Sequence, residues 1–271
     1  MAEGRIRVER SGQLATITID RPGRRNAFNR ALWSELGQAA ASLTERPPRA
    51  VVLTGAGDVF TAGMDVAPDN PQVAELVSAV QSNDEAPVRA MLDEIHRALD
   101  ALFALPVPII AAVNGLAYGG GAEIATRCDL RVLDADAVVC FSEVRLGLMP
   151  DLGGGVALAN LVGTGRAADL ILTARKLRAE EALSLGWANR VAPAGSALAV
   201  ANEIAADIAS NGPRAVRAAL GVLRRSSGRV FEDAIADEVT TATRLIASGE
   251  CSYGIAAFLS KSQPVYPDPK D

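Results

Sequence analysis

The sequence predicts an α/β fold with a strand-rich first half and a helical second half. Three observations carry this expectation. Residues 14–55 read strand, helix, strand, the crossover pattern of a parallel sheet. A short apolar run behind prolines, 107–113, leads through Gly119-Gly120-Gly121 into a helix start. Beyond Asp151-Leu152-Gly153-Gly154-Gly155 the hydrophobic period is helical almost to the end.

Taken in order, residues 5–9 and 14–20 alternate apolar and polar side chains around Ser11-Gly12, a hairpin signal, and Arg21-Pro22-Gly23 ends the second strand. Residues 30–43 place Leu32, Trp33, Leu36, Ala39, Ala40 and Leu43 on one helical face, and Pro47-Pro48 closes it. Residues 50–55 are a buried strand entering the glycine loop Ala56-Gly57-Asp58, and 59–65 form a second small-residue turn. Residues 67–87 carry Pro68, Pro71 and Pro87 around an apolar patch at 73–80, and are expected to be a partly ordered surface loop. Residues 88–104 are amphipathic through Met91, Leu92, Ile95, Leu99, Leu102 and Phe103. Short strands are expected at 130–133 and 138–141. Helices are expected at 156–162, 165–173, 179–185, 198–210, 213–225, 230–247 and 252–260. The sequence has no internal repeat and no low-complexity linker.

Hydrophobic residues make up 49% of the 271 and charged residues 22%, a composition able to bury a substantial core. Aromatics are only 4%, so helices should pack through small residues. A net charge of -5 gives no whole-protein attraction to nucleic acid or to an anionic membrane. Cys128, Cys140 and Cys251 are odd in number, widely spaced and without a CxxC pair, which argues against a disulfide framework or a zinc site. The start, Met1 to Arg5, lacks a signal-peptide core and no run approaches a membrane span, so a cytoplasmic location is expected.

The chemistry concentrates in Asn114-Gly115-Leu116-Ala117-Tyr118-Gly119-Gly120-Gly121-Ala122-Glu123. Glycines between a buried strand and a helix let another group approach the backbone. The first amides of that helix lack intrahelical partners at the positive end of its dipole, and can hold a carboxylate, a phosphate or the oxygen of a polarised carbonyl. Glu123, Glu143 and Asp151 all stand beside small-residue turns of the core. Each alone reads as a cap or a solvated acid; together they suggest proton transfer. Gly163-Thr164-Gly165-Arg166-Ala167-Ala168 has the spacing of a nucleotide loop but follows a helix, and is expected to be a helix–helix turn. His96, the one histidine, has no G-x-S-x-G elbow to pair with and is expected at the surface.

These residues carry a resemblance to the enoyl-CoA hydratase/isomerase (crotonase) family that runs nearly end to end. It rests on Arg21-Pro22 with Asn26-Ala27, on Ala62-Gly63-Met64-Asp65, and on Asn114-Gly115 through Glu123 to Cys128-Asp129. It continues in Glu143-Val144-Arg145-Leu146-Gly147-Leu148-Met149-Pro150 and ends with Ala257-Phe258, Lys261 and Pro264-Val265. The resemblance implies a crotonase-like spiral of ββα turns at 1–195, holding an acyl-CoA site, and a helical trimerisation region at 196–271. A homotrimer, or a hexamer of paired trimers, is expected.

By the same resemblance, the thioester carbonyl of an acyl-CoA should sit between the amides of Met64 and Gly120. Glu123 and Glu143 match two glutamates that hold and activate water in family hydratases. Asp151 matches an acid that dienoyl-CoA isomerases use together with the glutamate at Glu143. Arg25, Ala62 and Asp65 fall on the substrate side, the first two near the phosphates and adenine. Phe258 and Lys261 match a pair that reaches coenzyme A from a neighbouring subunit, and 66–91 is where the family varies its acyl-pocket lid. The expected activity is hydration of a 2-enoyl-CoA. Isomerisation is the second reading, and a catalytically silent acyl-CoA binder the third. No metal and no separate cofactor are implied, since coenzyme A is part of the substrate.

Overall fold

A computed structural model describes residues 4–269. Met1, Ala2 and Glu3, in the stretch read as lacking a signal-peptide core, lie outside the described residues, as do Lys270 and Asp271 at the end of the helical region. Strands β1 (Arg5–Ser11) and β2 (Leu14–Asp20) pair antiparallel from Arg5↔Asp20 to Ser11↔Leu14, so the turn is Gly12-Gln13, one residue later than expected. Helix α1 (Arg30–Glu45) begins where the Asn29 side chain accepts from the Leu32 amide at 3.0 Å, and it buries the six residues of its predicted face. Strand β3 (Ala50–Gly55) is buried throughout and β4 (Val59–Thr61) follows it.

The expected surface loop at 67–87 is instead helical: α2 (Pro71–Ser82), followed by α3 (Glu85–Phe103). Prolines misled the reading. Pro71 opens α2 and Pro87 lies in the first turn of α3, where a missing N–H removes no helical bond. Asn70 and Asp84 cap the two helices through the amides of Gln72 and Ala86.

Next come β5 (Ile109–Val113), β6 (Leu116–Tyr118), α4 (Gly120–Arg127), β7 (Leu130–Asp134), β8 (Val138–Cys140), a short 3-10 turn at Glu143–Leu146, α5 (Gly154–Val162) and α6 (Thr164–Thr173). The remainder is β9 (Leu177–Arg178), α7 (Ala179–Ser184), β10 (Arg190–Ala192), α8 (Ala197–Ala209), α9 (Pro213–Ser226), α10 (Phe231–Ala247) and α11 (Cys251–Ser260). Strands beyond those expected are β6 inside the glycine stretch and β9 and β10 in the part expected to be all-helical. The strand β4 also stands where a turn at 59–65 is expected, and at two or three residues all four are too short to show a period. Gly163 to Ala168 spans the turn from α5 into α6, as expected.

Six strands form one sheet in the order β1-β2-β3-β5-β7-β10, and four form a second in the order β4-β6-β8-β9. The chain alternates between sheets: β3 then β4, β5 then β6, β7 then β8, with helices returning after each pair. The result is a spiral of three ββα turns, repeated in structure though not in sequence. The main core packs α1 and α3 against the first sheet through Trp33, Leu36, Ile95 and Leu99.

On the outer face, Ala197, Ala201 and Ala205 of α8 lie on Val52, Ile110, Ala112 and Val132. Alanines at a four-residue spacing bring that helix close to the sheet. Beyond α8, Arg224 of α9 grips Asp129 at 2.6 Å and the carbonyls of Phe103 and Leu105. Helix α10 buries no residue, and Phe231, Val239, Ile255, Phe258 and Leu259 of the last two helices face solvent. Among the described residues no helix is long and apolar enough to cross a membrane.

Candidate active site

Strands β4, β6 and β8 are parallel neighbours, so their C-terminal ends lie along one edge of the second sheet. Each runs directly into one candidate loop: 62–65, 119–121 and 142–143. The Gly119 amide ties two of these together by donating to the Cys140 carbonyl at 2.9 Å. Gly63 lies at φ +82°, and a methyl group added there would stand 2.7 Å from the Gly120 nitrogen. Glycine is therefore what allows the first loop to approach the second. Phe28 N donates to Gly63 O at 2.7 Å and Asp65 N to Phe28 O at 2.8 Å, which clamps the peptides flanking Met64. Among the described residues neither the Met64 nor the Gly120 N–H has a protein acceptor. Gly120 opens α4, so its amide also stands at the positive helix end. Two such amides side by side suit an oxygen that gains negative charge.

Glu123, one turn into α4, is 1% exposed. The loop after Pro150 wraps its carboxylate. Leu152 N and Gly154 N each donate to Oε2 at 2.9 Å, and Asp151 N donates to Oε1 at 3.3 Å. Gly154 is required by packing, since a Cβ there would lie 2.3 Å from Cα and Cβ of Glu123. Glu143 is 9% exposed, and neither of its carboxyl oxygens has a hydrogen-bond partner among the described residues. It is close to the glycine turn: a methyl on Gly119 would sit 3.6 Å from its Oε1.

Burial pushes the Glu123 carboxyl up to about 8; the Glu143 charge adds to the rise, and the Leu152 and Gly154 amides oppose it. Burial raises Glu143 as well. Two neighbouring buried carboxyls cannot both ionise readily, so near neutrality the pair holds one shared proton. The three N–H donors on Glu123 stabilise its carboxylate form against the burial that raises it, and no such amide donor reaches Glu143 among the described residues.

Asp151 faces solvent, yet its backbone is part of the site, since its N–H points at Glu123. Partial desolvation raises its carboxyl, opposed by the charge of His96. His96 departs from its expected surface role. It is half-buried, and its Nε2–H donates to the Asp151 carbonyl at 2.7 Å. Arg25 and Ala62 are brought together, Ala62 N donating to Arg25 O at 3.0 Å, with Arg25 exposed.

Asp65 is buried, with Arg21 on Oδ2 at 2.6 Å and the Ala67 amide on Oδ1 at 3.0 Å. Its role is to hold the loop that presents Met64. Phe258, 82% exposed, and the exposed Lys261 sit together at the end of α11, Lys261 N donating to Phe258 O at 3.2 Å. Sequence reading missed the amides of residues 151, 152 and 154; their only signal was the glycine run 153–155. Burial pushes the Cys128 thiol up to about 12, which leaves it inert as a nucleophile. Among the described residues no cluster of metal-ligating side chains occurs. The arrangement can polarise one oxygen and relay one proton between two carboxyls.

Comparison with known proteins agrees with this fold. The profile of a family described as "Enoyl-CoA hydratase/isomerase" matches residues 9–269. A short-chain-enoyl-CoA hydratase of Clostridium acetobutylicum is 33% identical over 256 residues, covering 94% of this chain and 94% of that protein. The crystal structure of an enoyl-CoA hydratase from Polaromonas sp. JS666 superposes with a TM-score of 0.88 at 30% identity, over 97% of this chain and 100% of the other. That of an enoyl-CoA hydratase from Bacillus anthracis gives 0.87 at 32%, over 96% and 98%.

Proposed function

This chain belongs to the enoyl-CoA hydratase/isomerase family, and from that premise we propose that it adds water across the 2,3 double bond of a 2-enoyl-CoA thioester. The observation that carries the reading is the buried pair Glu123 and Glu143, both carboxyls raised, beside two amides without a protein acceptor among the described residues. The thioester oxygen binds between Met64 N–H and Gly120 N–H. Conjugation spreads electron demand to C3, where a water held by the two glutamates attacks. With the shared proton on Glu143, the Glu123 carboxylate takes a proton from that water as its oxygen bonds to C3. The π electrons pass toward the thioester oxygen, whose growing charge the two amides stabilise more than they stabilise the substrate. Glu143, as neutral acid, returns a proton to C2. One water is consumed and no redox change occurs.

Arg25 and the backbone at Ala62 would meet the coenzyme A phosphates and adenine. Phe258 and Lys261 would meet the coenzyme of a neighbouring subunit in a homotrimer, which their exposure supports. One observation favours a second reading: Asp151 lies next to the pair with its own carboxyl raised. A proton passing between Glu143 and Asp151 would isomerise an enoyl- or dienoyl-CoA without water.

The test is a panel of 2-enoyl-, 3-enoyl- and 3,5-dienoyl-CoA thioesters followed by absorbance and product mass. Gain of one water on the 2-enoyl substrate supports hydration. Unchanged mass with a shifted spectrum supports isomerisation, and no turnover of any thioester, with binding retained, supports a silent binder.

A further inference from the structure

Loop 150–154, which holds Glu123, is itself held from behind. The Asp151–Leu152 peptide has a donor on each side. Its N–H donates to Glu123 Oε2 at 2.9 Å, and its carbonyl accepts from His96 Nε2–H at 2.7 Å. Because the acceptor is a carbonyl oxygen, the proton must sit on Nε2 of the imidazole. The next carbonyl, that of Leu152, accepts from Arg127 Nη1 at 3.0 Å. Arg127 in turn lies 4.4 Å over the Phe103 ring and pairs with Asp100 at 3.1 Å.

We propose that His96 is a positioning residue for the Glu123 carboxylate, acting through the single peptide unit between Asp151 and Leu152. Hydrogen bonds that share a peptide polarise one another. Electron density drawn toward the carbonyl by the imidazole N–H makes the Leu152 N–H a stronger donor to Glu123. The same bond fixes the peptide plane, so that the N–H is aimed at Oε2 instead of rotating toward solvent. Arg127 supplies the neighbouring anchor but only locates the backbone, since the amide of its peptide, Gly153 N, does not reach Glu123. A half-buried imidazole is used here where any apolar side chain would fill the same volume.

The charged groups around His96 bear on any titration. On its own helix Asp93 is paired with Arg89, and Asp100 with Arg127. From the facing loop comes the Asp151 carboxyl, and from α4 the guanidinium of Arg127. Replacing His96 by glutamine keeps an N–H donor of similar reach without a titrating group. Leucine keeps volume and removes the donor.

The test follows the titration of the Glu123 carboxyl by carbon-13 NMR in protein labelled at glutamate, assigned by its loss in Glu123→Gln. The measurement needs no substrate, so it stands or falls separately from the hydratase reading. His96→Leu should move the Glu123 transition to higher pH by about half a unit or more, because a donor to the charged form is weakened. His96→Gln should leave it near the parent value. If leucine prevents folding, His96→Asn, whose shorter amide falls short of the carbonyl, replaces it in the comparison. A transition unmoved by loss of the donor, or moved equally by the donor-keeping and donor-lacking variants, would overturn the proposal.

Discussion

At the residue scale, the two glutamates differ in what touches them. Glu123 accepts from three amides and Glu143 from none among the described residues, and the proposed roles of base and acid follow that difference. Glu123→Gln and Glu143→Gln should each lower hydration by about 10²–10⁴-fold, with acyl-CoA affinity retained in a binding titration. The double variant should be little worse than either single one, because both act on one water. Wild-type-like turnover in either single variant would remove the pair from the mechanism. A stability prediction follows from the raised carboxyl. Its folded value, about 8, lies above its unfolded value, so its contribution is fully present below the unfolded value and is lost as pH rises toward 8. Thermal melts should therefore show Tm falling across that window, with a shallower fall in Glu123→Gln. Asp151→Asn separates the two readings: hydration should drop modestly, whereas a selective collapse of dienoyl-CoA turnover, with weak hydration in the parent, would favour isomerisation.

At the element scale, three parallel strand ends and one glycine contact build the site. Gly154→Ala forces a methyl into the backbone of α4, and should cost about 3 kcal/mol or more in chemical denaturation, the upper end of overpacking. Gly63→Ala is placed against the Gly120 amide, so it should act on catalysis, lowering kcat far more than substrate affinity. An unchanged kcat in Gly63→Ala would mean that the two amides do not share one oxygen. Much of this was legible beforehand. The face of α1, the buried β3 and β5, and most later helices follow from hydrophobic period, which longer elements display clearly. What escaped was short or disguised. The strands β6, β9 and β10 are two or three residues long, and α2 begins at a proline that looks like a breaker until its position in the helix is known. The glutamates could be picked out by their glycine neighbours. The contact between His96 and the Asp151 carbonyl joins residues 55 apart, and no local pattern announces it.

At the scale of the whole molecule, the spiral core and its outer helices divide the work. The core carries Met64, Gly120, Glu123 and Glu143, while α10 and α11 leave an apolar face open to solvent. Such a face is costly for a monomer, which supports a homotrimer or hexamer. Sedimentation should find a trimer or its multiple, and a stable active monomer at low concentration would contradict both the assembly and the shared role of Phe258 and Lys261. The central claim, however, is that two carboxyls add water to a conjugated thioester. It is tested most directly by turning over a 2-enoyl-CoA in heavy-oxygen water and reading the product by mass spectrometry. The expected product is a 3-hydroxyacyl-CoA carrying one heavy oxygen, formed by the parent protein and nearly absent with Glu123→Gln or Glu143→Gln. A product of unchanged mass, or labelling that persists undiminished in both variants, would contradict it.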